Sequence, residues 1–207
     1  MSGINGVATM IACFLALTST VGASTPILCQ GIWAPNTSEA KLRQHFGSAR
    51  VRQQKIGVGE GDYQDGTVVN STAGALTVMV LWKDSIHRRS PSTIYIRQTS
   101  RQTTYGNIGL GTTLKRLEQL NGRSFQLAGF NFDYSGTVTS WSGGRMEHIG
   151  DPGCEIKPRL LPRFSRPLNA AESAAAEATV GDRDFMSSDP NMQVLNPRVY
   201  EILLVYR

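Results

Sequence analysis

The sequence is poor in the residues that build metal sites and activated nucleophiles. It contains three cysteines and three histidines, without the Cys-x-x-Cys or His-x-x-x-His spacing that indicates zinc. No serine stands in a Gly-x-Ser-x-Gly frame. The glycines from Gly106 to Gly111 lack the order of a dinucleotide-binding loop. We therefore predict no metal and no cofactor, and an enzymatic function has little support.

Acidic residues are fewer than basic ones, which gives a net charge of +5 that falls mostly on arginine. The excess is modest and lacks the clustered basic face of nucleic-acid-binding proteins, so no nucleic-acid partner is predicted. One hypothesis places the basic segment from Lys157 to Arg166 in weak contact with an anionic membrane surface. Nothing in the sequence indicates an oligomeric state.

No apolar run reaches the roughly 20 residues that a membrane-spanning helix needs. The N-terminal run, from Val7 to Leu17, is followed by small residues that end at Ala23. This pattern predicts a signal peptide over residues 1–23, cleaved before Ser24, and therefore a periplasmic or secreted protein. Two alternatives stay open: a membrane anchor, and a lipoprotein in which Cys13 carries the lipid.

Removal of the signal peptide leaves two cysteines, Cys29 and Cys154. Because exported proteins mature in an oxidising compartment, we predict that these two form a disulfide. The alternative is a pair of buried free thiols. The remaining chain, residues 24–207, has the length of a single domain.

The most informative feature that is present is an internal repeat. The phrase Asp62-Tyr63-Gln64-Asp65-Gly66-Thr67-Val68 is echoed by Asp133-Tyr134-Ser135-Gly136-Thr137-Val138. Each copy follows a leucine-containing stretch that ends in glycine, at Gly47 before the first copy and at Gly122 before the second. The order predicts two related helix–hairpin units and an α+β fold, in which an antiparallel sheet carries short helices on one face.

Local patterns place the elements within these units. The first unit, residues 36–82, is expected to begin with a helix capped by Asn36 and to end in a fully buried strand over residues 75–82. The second unit, residues 109–144, is expected to contain a hairpin with a two-residue turn at Ser135-Gly136. The last part, residues 155–207, is expected to form a surface loop over 155–167, a helix over 170–178, mostly loop over 182–197, and a final strand over 199–206.

The repeated turns hold the candidate site residues. A calcium loop is a weak hypothesis for Glu60, Asp62 and Asp65, because their spacing breaks the required register and lacks the distal glutamate. The preferred interpretation is that these carboxylates accept hydrogen bonds from nearby backbone N–H groups. A binding surface is the other hypothesis, since aromatic residues anchor protein interfaces; its alternative is a sheet face packed under a helix. The candidate binding residues are Asp62, Tyr63, Asp133, Tyr134 and Trp141.

The pattern of a glycine-closed helix followed by a hairpin, used twice, resembles two families of exported bacterial proteins. The residues that carry it are Leu42 to Gly47 with Thr67 to Asn70, and Gly111 to Gly122 with Phe125 to Trp141. The families are the outer-membrane assembly lipoproteins of the SmpA/OmlA type and the secreted beta-lactamase inhibitor proteins. The chain departs from the lipoproteins because Cys13 lacks a convincing lipobox.

These observations favour a non-enzymatic envelope binding module that engages another envelope or secreted protein through its hairpins. The alternative is a small periplasmic hydrolase of glycan or peptide that uses carboxylates from the repeated turns. A binding module predicts that Asp62→Asn and Asp133→Asn are tolerated and that Trp141→Ala loses the partner. A hydrolase predicts the reverse.

Overall fold

The computed structural model describes residues 28–70, 77–97, 107–149 and 153–207. The predicted signal peptide, its cleavage site and Cys13 lie outside these residues. Within them, the predicted fold class is confirmed: the chain is α+β, with one six-stranded antiparallel sheet, one three-stranded sheet and four short α-helices.

The six-stranded sheet forms the centre of the fold. Its strands follow the order β1-β2-β3-β4-β9-β7, and every neighbouring pair is antiparallel. The final strand of the chain, β9, was expected to pair into a sheet, and it lies inside this one. The strands are β1 Val51–Gly59, β2 Asp62–Asn70, β3 Thr77–Asp84, β4 Arg89–Arg97, β7 Cys154–Leu161 and β9 Arg198–Tyr206.

The smaller sheet has the order β6-β5-β8 and lies next to the β7 edge, where Thr137 bridges Arg159. Its strands are β5 Gln126–Ala128, β6 Val138–Ser140 and β8 Asp184–Met186. The helices are α1 Glu39–Phe46, α2 Leu114–Asn121, α3 Ala170–Ala178 and α4 Pro190–Leu195.

Alternating apolar residues put the main core on one face of the large sheet. On β3, Val78 and Val80 pack into this core, while Met79 and Leu81 join a second cluster on the opposite face. The expectation that this strand is buried on both faces is therefore confirmed. The second cluster is completed by residues of the first hairpin, and Tyr95 packs against it.

The helix boundaries follow local capping chemistry. Helix α1 begins after Ser38 rather than Asn36, because the Ser38 Oγ accepts a hydrogen bond from the Lys41 N–H at 3.3 Å. Helix α2 begins after Thr113 and ends at Gly122 in the left-handed conformation, as predicted. Helix α3 matches its predicted range and begins with a complete capping box.

The segment predicted as a surface loop over residues 155–167 is instead a strand for about half its length, so that prediction is wrong. Strand β7 spans Cys154–Leu161 and alternates buried with more exposed residues. Proline in this segment favoured a loop, but Pro158 lies on an edge strand, where a missing backbone donor is tolerated. The basic residues of the strand, Lys157 and Arg159, share the opposite face.

The segment 182–197 was also expected to be mostly loop, and this too is wrong. It contains β8 and α4. Helix α4 has Asp189 as its N-cap and Pro190 in its first turn. Aspartate and proline are typical of loops, but both are also favourable at the start of a helix. Strand β8 is only three residues long and forms by pairing with β5, a long-range contact that local sequence does not reveal.

The two helix–hairpin units follow the predicted order, but their hairpins belong to different sheets. In the first copy the repeated phrase is part of strand β2, whereas in the second it forms the turn that leads into β6. The predicted two-residue turn at Ser135-Gly136 is therefore wrong, since β5 ends at Ala128 and β6 begins at Val138.

Both copies nevertheless need their glycine for close packing. A Cβ on Gly66 would lie 2.7 Å from the Val80 carbonyl oxygen, and one on Gly136 would lie 1.8 Å from that of Leu160. Gly136 also has a φ of +68°, which L-residues rarely adopt. The turn of residues 131–137 can therefore dock directly against the backbone of β7.

A disulfide joins Cys29 to Cys154, as predicted, with 6.1 Å between the Cα atoms and a sequence separation of 125. It fastens the N-terminal segment to the start of edge strand β7. On the chain-entropy model a loop of this length gives about 4–5 kcal/mol of stability. The described helices are also all too short to span a membrane.

A buried carboxylate ties α1 to the sheet. Glu39 accepts hydrogen bonds from the Thr67 hydroxyl at 2.7 Å and from Arg43 Nη2 at 2.9 Å. Thr67 in turn accepts a hydrogen bond from the Trp82 indole. Burial raises the pKa of Glu39, but hydrogen bonds from Thr67, Gln53 and Arg43 outweigh burial and hold this pKa below its usual value.

We expect Glu39→Gln to lower the free energy of unfolding by about 1–3 kcal/mol at neutral pH, because it removes charge-assisted hydrogen bonds from a buried site. A carboxylate with a depressed pKa stabilises the fold above its unfolded pKa of about 4.3. The difference between wild type and variant should therefore shrink as the pH falls below that value. Urea unfolding at several pH values measures it, with the exposed Glu177→Gln as control. A difference that stays constant down to strongly acidic pH would contradict this account.

Candidate functional site

Strand register builds a row of charged side chains across three strands of the large sheet. Arg97 on β4 lies opposite Glu201 on β9, and Glu201 lies opposite Arg159 on β7. Directly opposite residues share a face and lie within reach of one another. The row lies on the face opposite the main core, because the neighbouring residues Ile96 and Ile202 are buried in that core.

Glu201 is fully buried and both of its oxygens are paired. Its Oε1 accepts a hydrogen bond from Arg97 Nε, and its Oε2 accepts one from Arg159 Nη1 at 3.0 Å. A buried carboxylate without such partners would carry a large desolvation cost. Two arginines satisfy one carboxylate, so this cluster keeps a net positive charge.

A second row lies beside the first and supplies apolar surface. Tyr95, Leu203 and Lys157 are opposite one another on β4, β9 and β7. Burial raises the pKa of Tyr95, and the nearby Glu201 charge raises it further, so the phenol stays neutral at physiological pH. The guanidinium of Arg97 lies 5.8 Å from the centre of the Tyr95 ring, within cation–π range.

The turn of residues 131–137 covers one side of these rows. Arg159 Nη2 donates a hydrogen bond to the Asp133 carbonyl, and the Leu160 N–H donates one to the Gly136 carbonyl at 2.8 Å. The turn then reaches the end of the first hairpin. A methyl group placed on Gly59 would lie 3.6 Å from Asp133 Cβ and 3.8 Å from Tyr134 Oη.

The turn, the two rows and the first hairpin enclose a cavity of about 400 Å³. This volume lies within the range of small-molecule sites. Arginine and lysine line its floor beside tyrosine and aliphatic carbon, so the cavity is both cationic and partly apolar. We call it the sheet-face cavity; its lining side chains are Val58, Tyr95, Arg97, Asp133, Tyr134, Thr137, Lys157, Arg159 and Leu203.

Most of the predicted binding residues lie around this region. Asp133 and Tyr134 line the cavity, and Tyr134 is 56% exposed. Tyr63 is 67% exposed and packs across Gly57, whose added Cβ would lie 3.6 Å from the Tyr63 ring. Asp62 is exposed at the start of β2. The structure thus brings both tyrosines of the repeat to the end of the first hairpin.

Trp141 lies elsewhere. It is only 7% exposed and packs against Phe125 with 5.1 Å between ring centres. Its predicted role as an exposed binding residue is therefore not compatible with its position, and Trp141→Ala would act on the core. The alternation of Phe130, Phe132 and Tyr134 in the sequence predicts a strand there, but this segment turns instead.

Sequence reasoning missed the charged floor of the cavity. Glu201 offered a signal, since it is the single acid within a strand that is mostly apolar. Its partners could not be identified, because Arg97 and Arg159 reach it only through strand pairings between distant parts of the chain.

The acids of the first hairpin make contacts of an ordinary kind. Asp65 pairs across the hairpin with Lys55 at 3.0 Å instead of bonding to nearby backbone. Among the described residues, no group of three or more His, Cys, Asp or Glu side chains is arranged to hold a metal ion.

Comparison with protein-family models, with curated proteins and with solved structures finds no match for this chain. The resemblance to envelope lipoproteins and inhibitor proteins therefore stays a prediction.

We expect Glu201→Gln to destabilise the protein by about 3 kcal/mol or more, because it leaves two arginines without a buried counter-charge. Urea unfolding measures the change. Glu155→Gln is the matched control, since Glu155 is an exposed acid on the neighbouring strand, paired only with Lys157 at 3.4 Å. Equal and small losses in both variants would show that the buried cluster does not hold the three strands together.

Proposed function

We propose that this protein is an exported, non-enzymatic binding module that engages another protein of the cell envelope. Its contact surface is formed by the hairpin arm, defined as residues 55–65, and the turn of residues 131–137. The observation that carries the proposal is the exposure of Tyr63 and Tyr134 at 67% and 56%, both next to the end of one hairpin.

The arm folds across the second face of the large sheet, where Val58 and Tyr95 pack against the same cluster and Gly59 meets the turn on β7. Strand β2 pairs with β3 only from Gly66 onward, so residues 55–65 form a two-stranded ribbon. Isolated ribbons of this kind are marginally stable. The turn beside Gly59 and the ion pair between Lys55 and Asp65 support the ribbon. A braced ribbon with exposed tyrosines suits protein recognition, since tyrosine offers a large apolar ring and a polar hydroxyl at low entropic cost.

Export is part of the proposal. A disulfide between distant cysteines persists in oxidising compartments and is rare in the reducing cytosol. The short apolar run from Val7 to Leu17, followed by small residues, supplies the matching signal.

The alternative functions have less support. A glycan hydrolase would need two carboxyl groups that face each other across a substrate. Of the residues that the structure describes, Asp133 is the only acid in the lining of the sheet-face cavity, and both oxygens of Glu201 are bonded to arginines. The membrane hypothesis needs free basic residues between 157 and 166. Three of the four basic residues there already carry a counter-charge: Lys157 pairs with Glu155 at 3.4 Å, Arg159 with Glu201 at 3.0 Å and Arg166 with Glu172 at 2.7 Å.

We expect the mature protein to begin at Ser24, because signal peptidase cleaves after small residues such as Ala23. Intact-mass spectrometry of protein purified from the envelope or medium measures this start. A Cys13-linked lipid or an uncleaved N-terminus, found on the mature protein, would contradict it.

We expect Tyr63→Ser combined with Tyr134→Ser to weaken partner binding about tenfold or more, since aromatic anchors dominate interface energies. In-cell crosslinking of tagged protein in the envelope fraction, followed by mass spectrometry, identifies the partner, and titration with purified partner measures the affinity. Ile86→Ser combined with Val194→Ser is the control, because both residues are exposed apolar side chains outside the arm and turn. Full binding by the tyrosine variant would overturn the proposed surface. Loss of a hydrolytic activity in Asp62→Asn or Asp133→Asn would favour the hydrolase.

A further inference from the structure

The sheet-face cavity concentrates cationic hydrogen-bond donors that favour an anion. Three cationic side chains, Arg97, Lys157 and Arg159, line it; Asp133 is the acid in the lining, the buried Glu201 lies between the two arginines, and Glu155 pairs with Lys157 at 3.4 Å. Because Glu201 is fully enclosed, its charge is neutralised within the cluster and is not available to a ligand. The opening therefore presents two arginines that share a single carboxylate, and its partly buried walls weaken screening by water and salt.

Arg97 retains hydrogen-bonding capacity toward the cavity. Its Nε is committed to Glu201, and its Nη1 contacts only the Met79 sulfur, at 4.0 Å, among the described residues. Its side chain is 43% exposed. A guanidinium held by its Nε and open at its terminal nitrogens is preorganised to donate to a carboxylate, because binding then costs little further side-chain entropy.

Arg159 likewise has more hydrogen-bond donors than the cluster uses. Its terminal nitrogens donate to Glu201 and to the Asp133 carbonyl, but its buried Nε has no hydrogen-bond partner within the described part of the chain. An unsatisfied buried donor costs free energy, and such groups recur at binding sites. The cluster thus keeps more donors than its own acceptors can satisfy.

The other residues of the lining determine which kind of group the ligand can carry beside its acidic group. Tyr95 and Leu203 form the floor beside the arginines, Val58 closes the hairpin side, and the exposed ring of Tyr134 lies at the rim. These surfaces suit an apolar or aromatic group of modest size, and the volume of about 400 Å³ has room for one.

We propose that the sheet-face cavity binds a free small organic acid, with its carboxylate on Arg97 and Lys157 and its apolar or aromatic body against Tyr95, Leu203 and Tyr134. This site shares Tyr134 with the tyrosine surface proposed for the protein partner, but it does not require a bound partner.

The other cavities give less support for a ligand site. A broader depression, of about 650 Å³, is lined by Gly31, Ile32, Lys41, Gln44 and His45. It offers one lysine, and its lining holds no second group of charged residues that could enclose a ligand. The space beside Trp141 is about 40 Å³ and holds little more than a water molecule.

The test uses the purified mature protein without any partner. Isothermal titration and ligand-observed NMR measure the binding of 3-phenylpropionate, the neutral 3-phenylpropanol, the cationic 3-phenylpropylamine and acetate. We expect 3-phenylpropionate to bind about tenfold or more tightly than the alcohol and the amine, because only it offers charge-assisted hydrogen bonds to arginine. Acetate should bind more weakly, because it lacks the body that fills the apolar walls. The affinity should fall with added salt.

Variants locate the site. Arg97→Gln and Lys157→Gln should each weaken binding about fivefold to tenfold, whereas the matched control Lys55→Gln, on the arm and outside the cavity lining, should not change it. Lys157→Gln keeps the test decisive if Arg97→Gln fails to fold, since Lys157 is partly exposed and does not contact Glu201. Tyr63→Ser should leave acid binding intact, which separates this proposal from the partner surface.

Equal binding of acid and alcohol would overturn the proposal, as would acid binding that Lys157→Gln and Arg97→Gln leave unchanged. Failure of every free acid to bind would overturn it as well. If a peptide with a glutamate side chain bound where the free acids did not, the cavity would be part of the protein interface instead.

Discussion

The requirement that Glu201 be neutralised organises the side of the molecule that carries the proposed sites. A carboxylate with no solvent exposure tolerates very few arrangements, because each oxygen needs a donor at short range. Arg97 and Arg159 meet this need only when β4, β9 and β7 pair in the observed register. A shift of one residue would turn Glu201 into the apolar core. The ion cluster therefore specifies strand register as well as local charge.

This constraint extends to the turn and the hairpin arm. Arg159 uses its second terminal nitrogen, Nη2, to hold the Asp133 carbonyl, and Gly136 lets the turn approach β7 closely. This turn places Tyr134 beside Gly59, at the end of the arm. One buried carboxylate thus positions the cavity wall and an exposed tyrosine, so the two proposed sites share a single structural support.

Local pattern predicted the elements whose signal is complete within a short segment. The buried strand β3, helix α3 with its capping box, and the terminal strand β9 are of this kind, and the disulfide followed from cysteine number and compartment. Strand β7 was missed because Pro158 is acceptable only at an edge, and being at an edge is a tertiary property. Trp141 was misplaced because alternation does not reveal which side of a small sheet is covered. The arginine partners of Glu201 depend on pairings across the whole chain.

The stability of the fold does not by itself require the charged cluster. Buried ion pairs and triads can often be replaced by apolar residues of similar volume without loss of stability. The second cluster of Ile56, Val68, Met79 and Leu81 shows that this sheet face can be covered by apolar side chains. An Arg–Glu–Arg row that leaves Arg97 partly exposed and the Arg159 Nε unsatisfied is a poor choice for packing alone. It is a good choice for holding arginines in fixed positions, and that property is what recognition of a carboxylate demands.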